Sequence, residues 1–155
     1  VFLGSGPLYG TAMESHLKLQ ELTDGFVICK NDSYLGFRHG PKAVVDEDTL
    51  IVYFFSNNED VIRYEIDLVN DMNTGKQPLR QIGISVKELN ISTINELFVL
   101  KNNQTMNIDE EYLSVCYILL GQLLGFFKSL DLNLQPDSPS KTGAISRVVT
   151  GVTIY

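Results

Sequence analysis

Residues 49–55, which read TLIVYFF, place the strongest constraint on the fold of this chain. The run is a continuous series of apolar, β-branched and aromatic residues. Such runs are typical of central strands in parallel sheets, because these strands are buried on both faces. The segment therefore predicts a sheet with further strands beside it and with helices covering both of its faces.

Four other segments are predicted as strands, and they alternate along the chain with predicted helices. The strands are residues 1–3, 26–29, 80–86 and 96–100, and the helices are residues 9–22, 59–72 and 109–129. A loop is predicted over residues 34–40, and Pro41 is well placed to begin a short helical turn. The last helix is expected to pack through an apolar face made of Leu119, Leu120, Leu123 and Leu124. The alternation predicts one α/β domain, residues 1–155, a three-layer αβα sandwich with a mostly parallel five-stranded sheet.

The charge and cysteine content argue against several classes of partner. The 155 residues carry a formal net charge of −7, so no nucleic acid and no anionic membrane surface is expected as a main partner. Cys29 and Cys116 lie in apolar runs without metal-binding or redox spacing, which predicts reduced core cysteines of a cytoplasmic protein. The longest apolar stretch, residues 116–127, contains Gln122 and is judged too short to span a bilayer.

The first residue, Val1, already belongs to a predicted strand, and the sequence shows no signal-peptide pattern. Natural chains rarely begin inside a strand. We therefore expect this chain to be part of a longer protein, with material missing on its N-terminal side.

Three charged residues of the first predicted helix share one narrow stripe. Glu14, Lys18 and Glu21 are spaced i, i+4 and i+7, and apolar residues occupy the other sides of the helix. Apolar residues all round a helix predict burial, and buried charges need partners or a cleft. The stripe is therefore expected to line a polar pocket. The alternative is that Glu14 and Lys18 form an ordinary pair that stabilises an isolated helix by about 0.2–0.5 kcal/mol.

Two further features are candidates for contact with a ligand. Gly4, Ser5 and Gly6 form a turn between the first strand and helix, where backbone N–H groups can bind an anion; a plain tight turn is the alternative. His39 lies in the segment GFRHGP before a predicted helix start, where the helix dipole favours the neutral imidazole and suits a proton shuttle. An exposed loop histidine without a role is the alternative. His16, opposite the ionic stripe, is expected to be a packing residue.

A glutamate held ionised by a lysine, together with a histidine, suits proton transfer at a carbon next to a carbonyl group. The sequence contains no serine nucleophile elbow, no dinucleotide fingerprint and no metal-binding His/Cys cluster. The proposed chemistry requires no cofactor and no metal.

Two stretches, LGSGPLYGTAMESHLKLQELTDG and SYLGFRHGPKAVVDEDTLIVYF, resemble the sugar isomerase (SIS) domain family, which has a flavodoxin-like fold. More narrowly, the chain resembles the C-terminal SIS domain of the tagatose-6-phosphate ketose/aldose isomerase-like proteins, also described as galactosamine-6-phosphate deaminase/isomerases. The most specific parts are E-x3-K-x2-E in the first helix and F-R-H-G-P. They also resemble A-L-E-G-A-L-K-L-K-E and L-K-H-G-P in the isomerase half of glucosamine-6-phosphate synthase.

The resemblance implies roles for particular residues. Glu21 would move a proton between C1 and C2 of an open-chain (amino)hexose 6-phosphate. Lys18 would lie beside the developing oxyanion, and Glu14 would orient Lys18 and the sugar. His39 would assist ring opening, and in this family that histidine can reach the site of a neighbouring subunit. Arg147 falls where the synthase has a lysine in its tail. The positive charge is kept, so contact with the substrate is implied, but the change from lysine to arginine puts a Schiff-base role in doubt.

One loop departs from the family pattern. The family usually grips the sugar phosphate with a Ser/Thr-rich loop after a strand of the first of two tandem domains. The corresponding loop here, residues 56–59 (SNNE), contains an acid where a phosphate is disfavoured. The chain is therefore expected to be the second SIS domain, and an absent first domain is expected to hold the phosphate. The resemblance also implies a homodimer or a higher homo-oligomer.

Three functions remain open on the sequence alone. The first is an aldose–ketose isomerase or deaminase acting on a sugar phosphate. The second is a non-catalytic regulatory domain that binds a sugar phosphate, since SIS domains also occur in regulators. The third is a scaffold or dimerisation half in which the ionic stripe is structural. The combination of Glu14, Lys18, Glu21 and His39 favours the enzyme, because a sensor needs no base.

Overall fold

The computed structural model describes residues 1–100, 108–143, 145 and 151–154. They contain a five-stranded sheet in which every pairing is parallel. The strands are β1 (Phe2–Gly4), β2 (Asn31–Asp32), β3 (Leu50–Phe54), β4 (Arg80–Ser85) and β5 (Glu96–Val99). Their order across the sheet is β2-β1-β3-β4-β5. The apolar run that includes β3 therefore forms the middle strand, as predicted.

Four helices cover the two faces of the sheet. They are α1 (Pro7–Leu22), α2 (Tyr34–His39), α3 (Glu59–Asp71) and α4 (Glu110–Asp131), with short 3-10 turns at Pro41–Val44 and Met72–Thr74. Helices α1 and α4 pack on one face, and α2 and α3 pack on the other. This arrangement confirms the predicted three-layer αβα sandwich.

The side chains of β3 and the residue after it alternate between two hydrophobic cores. Ile51, Tyr53 and Phe55 join the core beneath α2 and α3, whereas Val52 and Phe54 join the core beneath α1 and α4. All five side chains are completely buried. Because each fully buried large apolar side chain contributes about 1.5–3 kcal/mol, this segment anchors both outer layers.

Helices α1 and α4 approach each other closely because α4 presents glycines to α1. A Cβ atom on Gly121 would lie 2.2 Å from Ser15 Oγ, and one on Gly125 would lie 2.9 Å from Leu22 Cδ1. Neither position has room for a side chain. The two glycines are four residues apart and hence on one face of α4, which fixes how α1 lies on that helix.

Two local predictions were wrong. The second strand is Asn31–Asp32 and not residues 26–29, where Phe26 and Ile28 are exposed instead of filling the core. Residues 34–39, predicted as a loop, form α2, because the Ser33 side chain caps it by accepting a hydrogen bond from Gly36 N at 3.0 Å. The 3-10 turn predicted to begin at Pro41 is confirmed.

The predicted packing face of α4 is partly wrong. Leu120 and Leu124 pack on the core, but Leu119 and Leu123 are exposed. The buried side of α4 instead contains Leu113, Tyr117, Gly121, Gly125 and Ser129. Within the described residues, α4 is also the helix long and apolar enough to cross a membrane by length and composition, so the judgement that this region is too short was wrong.

Candidate functional site

The sheet has a switch point between β1 and β3. From β1 the chain passes through α1 to β2 on one side, and it then returns to β3 on the other side of β1. The last residues of the two strands are neighbours, because Gly4 is paired with Phe54. The loops that follow β1 and β3 therefore lie side by side at the carboxyl edge, where α/β sheets bind ligands.

The turn after β1 is shaped by its glycines. A Cβ atom on Gly4 would lie 2.2 Å from the Leu8 carbonyl oxygen, and Gly6 has a φ of +51°. The amides of Leu8 and Tyr9 already donate to the carbonyl groups of Ser5 and Gly6, at 3.0 and 3.1 Å. These two N–H groups are not free for an anion, so the geometry agrees with the tight-turn alternative. Anion binding by this turn stays a prediction.

The loop after β3 holds two carboxylates of the chain itself. Ser56 N donates to Glu65 Oε2 at 2.9 Å. The Ser56 hydroxyl and Asn57 N both donate to Glu110 Oε1, the latter at 3.1 Å. The carboxylate that contacts this loop is therefore that of Glu110 from α4. Glu59, which follows the loop directly in the sequence, forms an ion pair with Lys87 instead.

Glu65 is the buried member of this carboxylate pair and is completely inaccessible to solvent. Burial raises its pKa from 4.5 to about 7, hydrogen bonds from Ser56 N and from Ser5 oppose that rise, and the charge of Glu110 adds to it. Its Oε1 atom has no hydrogen-bond partner among the described residues. Near neutral pH this carboxyl group is consequently a mixture of protonated and ionised forms.

The ionic stripe of α1 forms a continuous triad. Lys18 Nζ lies 2.8 Å from Glu21 Oε2 and 3.6 Å from Glu14 Oε1. The hydrogen bond to Glu21 is the largest cause of a raised pKa of Lys18, so this side chain is an ammonium cation at neutral pH. The three side chains are 35% (Lys18), 46% (Glu14) and 37% (Glu21) exposed.

The sequence predicted that the helix carrying the triad is buried on all sides, and the structure does not show this. Met13 is 49% exposed and Leu17 is 43% exposed, although both are apolar. The triad lines neither the cavity of about 670 Å³ beside Leu19 nor the cleft of about 490 Å³ beside His39. Within the described part of this chain, its three side chains are partly exposed on the surface of α1.

His39 lies in a different layer from the triad. It is exposed at the end of α2 and lines a cleft of about 490 Å³ with Lys42, Asp71 and Lys76. Because α2 covers one face of the sheet and α1 the other, one chain does not bring His39 and Glu21 together. An ion pair of 2.7 Å between Lys42 and Asp71 ties the segment after His39 to α3.

Comparison with known proteins gives a consistent set of relatives. The D-galactosamine-6-phosphate deaminase AgaS of Escherichia coli is 38% identical over all of this chain, which covers 40% of that protein. A solved structure from Clostridium novyi NT superposes with a TM-score of 0.92 at 36% identity, over 99% of this chain and 40% of the other. The tagatose-6-phosphate ketose/aldose isomerase structure from Escherichia coli has a TM-score of 0.82 at 34% identity, over 88% and 37%. No family model matches the chain.

The names of these relatives and the shared fold fit the sugar isomerase (SIS) domain family. It spans about 40% of the length of the curated relatives that it matches. The resemblance carried by E-x3-K-x2-E and F-R-H-G-P is thereby confirmed for the family and for the fold. What the whole protein does is a separate question, since most of the length of those relatives lies outside this SIS domain.

Sequence reasoning missed Ser56, Glu65 and Glu110 as members of one cluster in this SIS domain. The loop that contains Ser56 was singled out for carrying an acid, but the acid was assigned to the wrong residue. Glu110 is 54 residues away along the chain from Ser56. No spacing rule joins such positions, so only the tertiary fold, which brings the start of α4 to the loop after β3, could identify the pair.

The remaining residues singled out from the sequence are Arg147, His16 and the two cysteines. Arg147 lies outside the described residues, and its contact with substrate stays a prediction. His16 is half-buried, and its Nδ1 lies 3.3 Å from the Met13 carbonyl oxygen of the same helix. Cys29 is half-buried and Cys116 is exposed, so the latter is not the core residue that was predicted.

Proposed function

We propose that this SIS domain contributes catalytic side chains to an aldose–ketose isomerase or deaminase that acts on an (amino)hexose 6-phosphate. The observation that carries the proposal is the triad of Glu14, Lys18 and Glu21, in which one ammonium group holds two accessible carboxylates. The activities for which the relatives are named, galactosamine-6-phosphate deamination and tagatose-6-phosphate isomerisation, support the same substrate class.

The proposed chemistry uses each member of the triad differently. Glu21, as a carboxylate, takes a proton from the carbon next to the carbonyl of the open-chain sugar and returns it to the neighbouring carbon. The negative charge that develops on oxygen is stabilised by the Lys18 ammonium group, which its raised pKa keeps protonated. Glu14, at the longer distance of 3.6 Å from Lys18, orients that ammonium group.

The proposed site is completed by residues outside this chain. Met13 and Leu17 expose apolar surface beside the triad, which supports cover by another domain or subunit. We propose that a second SIS domain of the same polypeptide grips the sugar phosphate there, and that this chain is the second of the two domains. The exposed apolar side chains of α4, such as Leu123 and Phe127, support a homodimer as the working form. We propose that this homodimer works in the cytoplasm.

In this proposal His39 serves the site of a neighbouring copy, because it lies on the other side of the sheet from Glu21. Mixing the inactive full-length variants Glu21→Gln and His39→Ala then restores activity, since a hybrid dimer has one site with both wild-type residues. At equal amounts the expected rate is about a quarter of the wild-type rate, because half of the dimers are hybrids. Subunit exchange has to be verified first. If activity then does not recover, His39 is removed from the proposal.

The activity itself is tested in D2O, with the full-length protein, by exchange of the proton on the carbon next to the carbonyl group. The substrates are galactosamine-6-phosphate, for which NMR follows the loss of the C2 proton signal, and tagatose-6-phosphate, a ketose, for which it follows the loss of a C1 proton signal. Glu21→Gln is expected to slow exchange about 10²–10⁴-fold, as for loss of a general base. Glu96→Gln, an exposed residue of β5, is the matched control and is expected to keep the wild-type rate.

The same experiment separates the alternatives. Tight binding of either sugar phosphate without exchange indicates a regulatory domain. No binding of either compound indicates a scaffold in which the triad is structural. Exchange that Glu21→Gln leaves unchanged assigns the base to another residue.

A further inference from the structure

Two ion pairs attach the segment around His39 to one side of α3. Before His39, Arg38 Nη1 lies 2.6 Å from Asp67 Oδ2. After His39, Lys42 Nζ lies 2.7 Å from Asp71 Oδ2. The two aspartates are four residues apart in α3, so they lie on the same side of that helix. Two attachment points fix the orientation of the segment as well as its position, whereas a single one would leave a hinge.

The hydrophobic core alone does not hold this segment in place. Phe37 and Val45 are buried, but none of residues 38–44 between them is buried. Helix α2 has six residues, and isolated helices shorter than about 12 residues are marginal in water. The position of His39 therefore depends on contacts with neighbouring elements, and the two ion pairs supply such contacts.

The two ion pairs influence each other. The hydrogen bond from Lys42 is the largest cause of a lowered pKa of Asp71, and the charge of Arg38 lowers this pKa further. The hydrogen bond to Asp67 is the largest cause of a raised pKa of Arg38, and the charge of Asp71 raises it further. Asp71 and Arg38 are consequently charged at neutral pH. The cations on both sides of His39 therefore share one patch of negative charge on α3.

The ion pairs matter for geometry more than for stability. Their side chains are between 29% and 65% exposed, and exposed pairs contribute little to the free energy of unfolding. A displacement of a functional group by about 1 Å, however, can lower a reaction rate about 10²-fold. Lys42 and Asp71 also line the cleft that contains His39, so this ion pair forms part of the wall beside the imidazole.

We propose that Asp67 and Asp71 are positioning residues, which hold His39 through Arg38 and Lys42 in the orientation in which it serves the site of a neighbouring copy. The inference rests on the function proposed above, because it needs His39 to act in that site. The two aspartates touch neither the substrate nor the reacting atoms. They act only through the histidine, so their removal reproduces part of the effect of removing the imidazole.

The test uses the full-length double variant Asp67→Asn/Asp71→Asn, which loses both ion pairs. Its kcat is expected to fall about 10–100-fold, because the histidine is no longer held in place. Its KM is expected to change by less than about twofold, since the lost interaction concerns the reaction step and not ground-state binding. The midpoint of urea unfolding is expected to stay close to that of wild type.

Two further variants sharpen this test. Asp60→Asn is the matched control, because Asp60 also lies in α3 but pairs with Arg63 of the same helix, and it is expected to keep the wild-type kcat. Combining Lys42→Glu with Asp71→Lys reverses the charges of one ion pair. This combination is expected to be at least about fivefold faster than Asp71→Lys alone, because the attachment is restored.

Hybrid dimers give a readout that a purely structural role would not move. After verified subunit exchange, equal amounts of the double variant and of Glu21→Gln are expected to reach about a quarter of the wild-type rate. The reason is that the Glu21→Gln chain supplies an intact segment around His39. The double variant mixed with His39→Ala is expected to show no rise, because that segment is then defective in both chains.

The results distinguish failure of this inference from failure of the proposed function. If Glu21→Gln and His39→Ala do not complement each other, the function proposed for His39 fails and the positioning role fails with it. If they do complement each other but the double variant keeps the wild-type kcat, the positioning role alone is overturned. It is also overturned if the double variant complements His39→Ala. Should the double variant not fold, the single variants, each of which keeps one ion pair, take its place.

Discussion

The outer surface of α1 and the carboxyl edge of the sheet each contain two glutamates, and the surroundings give the two pairs opposite properties. On α1, Glu14 and Glu21 are more than one-third exposed and share the Lys18 ammonium group. At the edge, Glu65 and Glu110 are held by loop donors without a lysine, and burial raises the pKa of Glu65. An accessible ionised carboxylate is available for proton transfer, whereas carboxylates held by the backbone and the serine hydroxyl of a loop are part of the framework.

The two pairs also show that the usual ligand position of an α/β sheet and the residues suited to proton transfer lie in different parts of this chain. The topological rule for α/β sheets places a ligand at the switch point, yet this chain fills that point with its own Glu110. The residues that we propose for catalysis lie instead on the helix surface, where in that proposal another domain or subunit completes the site.

The first prediction is that Lys18→Met lowers kcat/KM about 10²–10³-fold in the full-length protein, because the cation beside the oxyanion is lost. The unfolding free energy is expected to change by less than about 1 kcal/mol, since exposed ion pairs contribute little. Steady-state kinetics and urea unfolding measure the two quantities. A large loss of stability with unchanged kinetics would assign the triad to the framework instead.

The second prediction concerns Glu65, whose pKa is raised from 4.5 to about 7. A raised carboxyl pKa means that the folded state binds more protons than the unfolded state between these values, so stability falls as pH rises from about 4.5 to 7. Glu65→Gln cannot ionise and is expected to be more stable than wild type by about 3 kcal/mol at pH 8. Below pH 4.5 this advantage is expected to vanish.

Chemical denaturation at several pH values measures this difference, and Glu111→Gln is the control because its side chain is exposed. The activity of Glu65→Gln is expected to match that of wild type. A stability difference that does not change with pH would show that the pKa of Glu65 is the same in the folded and the unfolded protein.

The third prediction is that Gly121→Ala costs about 1–3 kcal/mol, because the added methyl group overlaps Ser15. Gly10→Ala is the matched control in the partner helix, where nothing lies within 4 Å of the new Cβ atom. It is expected to stabilise the protein by about 0.4–1 kcal/mol. Equal effects of the two substitutions in thermal unfolding would mean that α1 and α4 are not in close contact.

The fourth and smallest effect is expected for Glu14→Gln. The contact between Glu14 and Lys18 is 3.6 Å long, and such pairs contribute about 0.2–0.5 kcal/mol. The expected result is a loss of stability within that range and a drop in kcat/KM of less than about tenfold, because Glu21 still holds Lys18 at 2.8 Å. A drop as large as that of Lys18→Met would give Glu14 a direct part in the chemistry.

Much of the fold could be predicted because it depends on local patterns. The uninterrupted apolar run at β3, the Asn58 cap of α3 and the 3-10 turn starting at Pro41 are properties of short segments. The failures occurred where packing overrode local appearance. The apolar residues Phe26 and Ile28 are exposed rather than forming a strand, and Ser33 begins a helix where the glycines of GFRHGP favoured a loop.

The candidate site was predictable only in part for the same reason. The spacing of Glu14, Lys18 and Glu21 places them on one stripe of any α-helix, so their contact needed no tertiary information. Whether that stripe is buried depends on what packs on each side of α1. In this chain Met13 and Leu17 beside it are exposed, so the described residues alone do not bury it. His39 was assigned to the same site, but nothing in the sequence reveals the layer in which it lies.

The central strand, the alternation of strands and helices and the ionic triad could be predicted from the chain alone, because each depends on residues close together in sequence. The contact of Glu110 with the loop after β3, and the placement of His39 and Glu21 on opposite faces of the sheet, became visible only in the folded protein. These facts depend on contacts between segments far apart in the chain. Such contacts form through packing of the layers, and residue spacing carries no record of them.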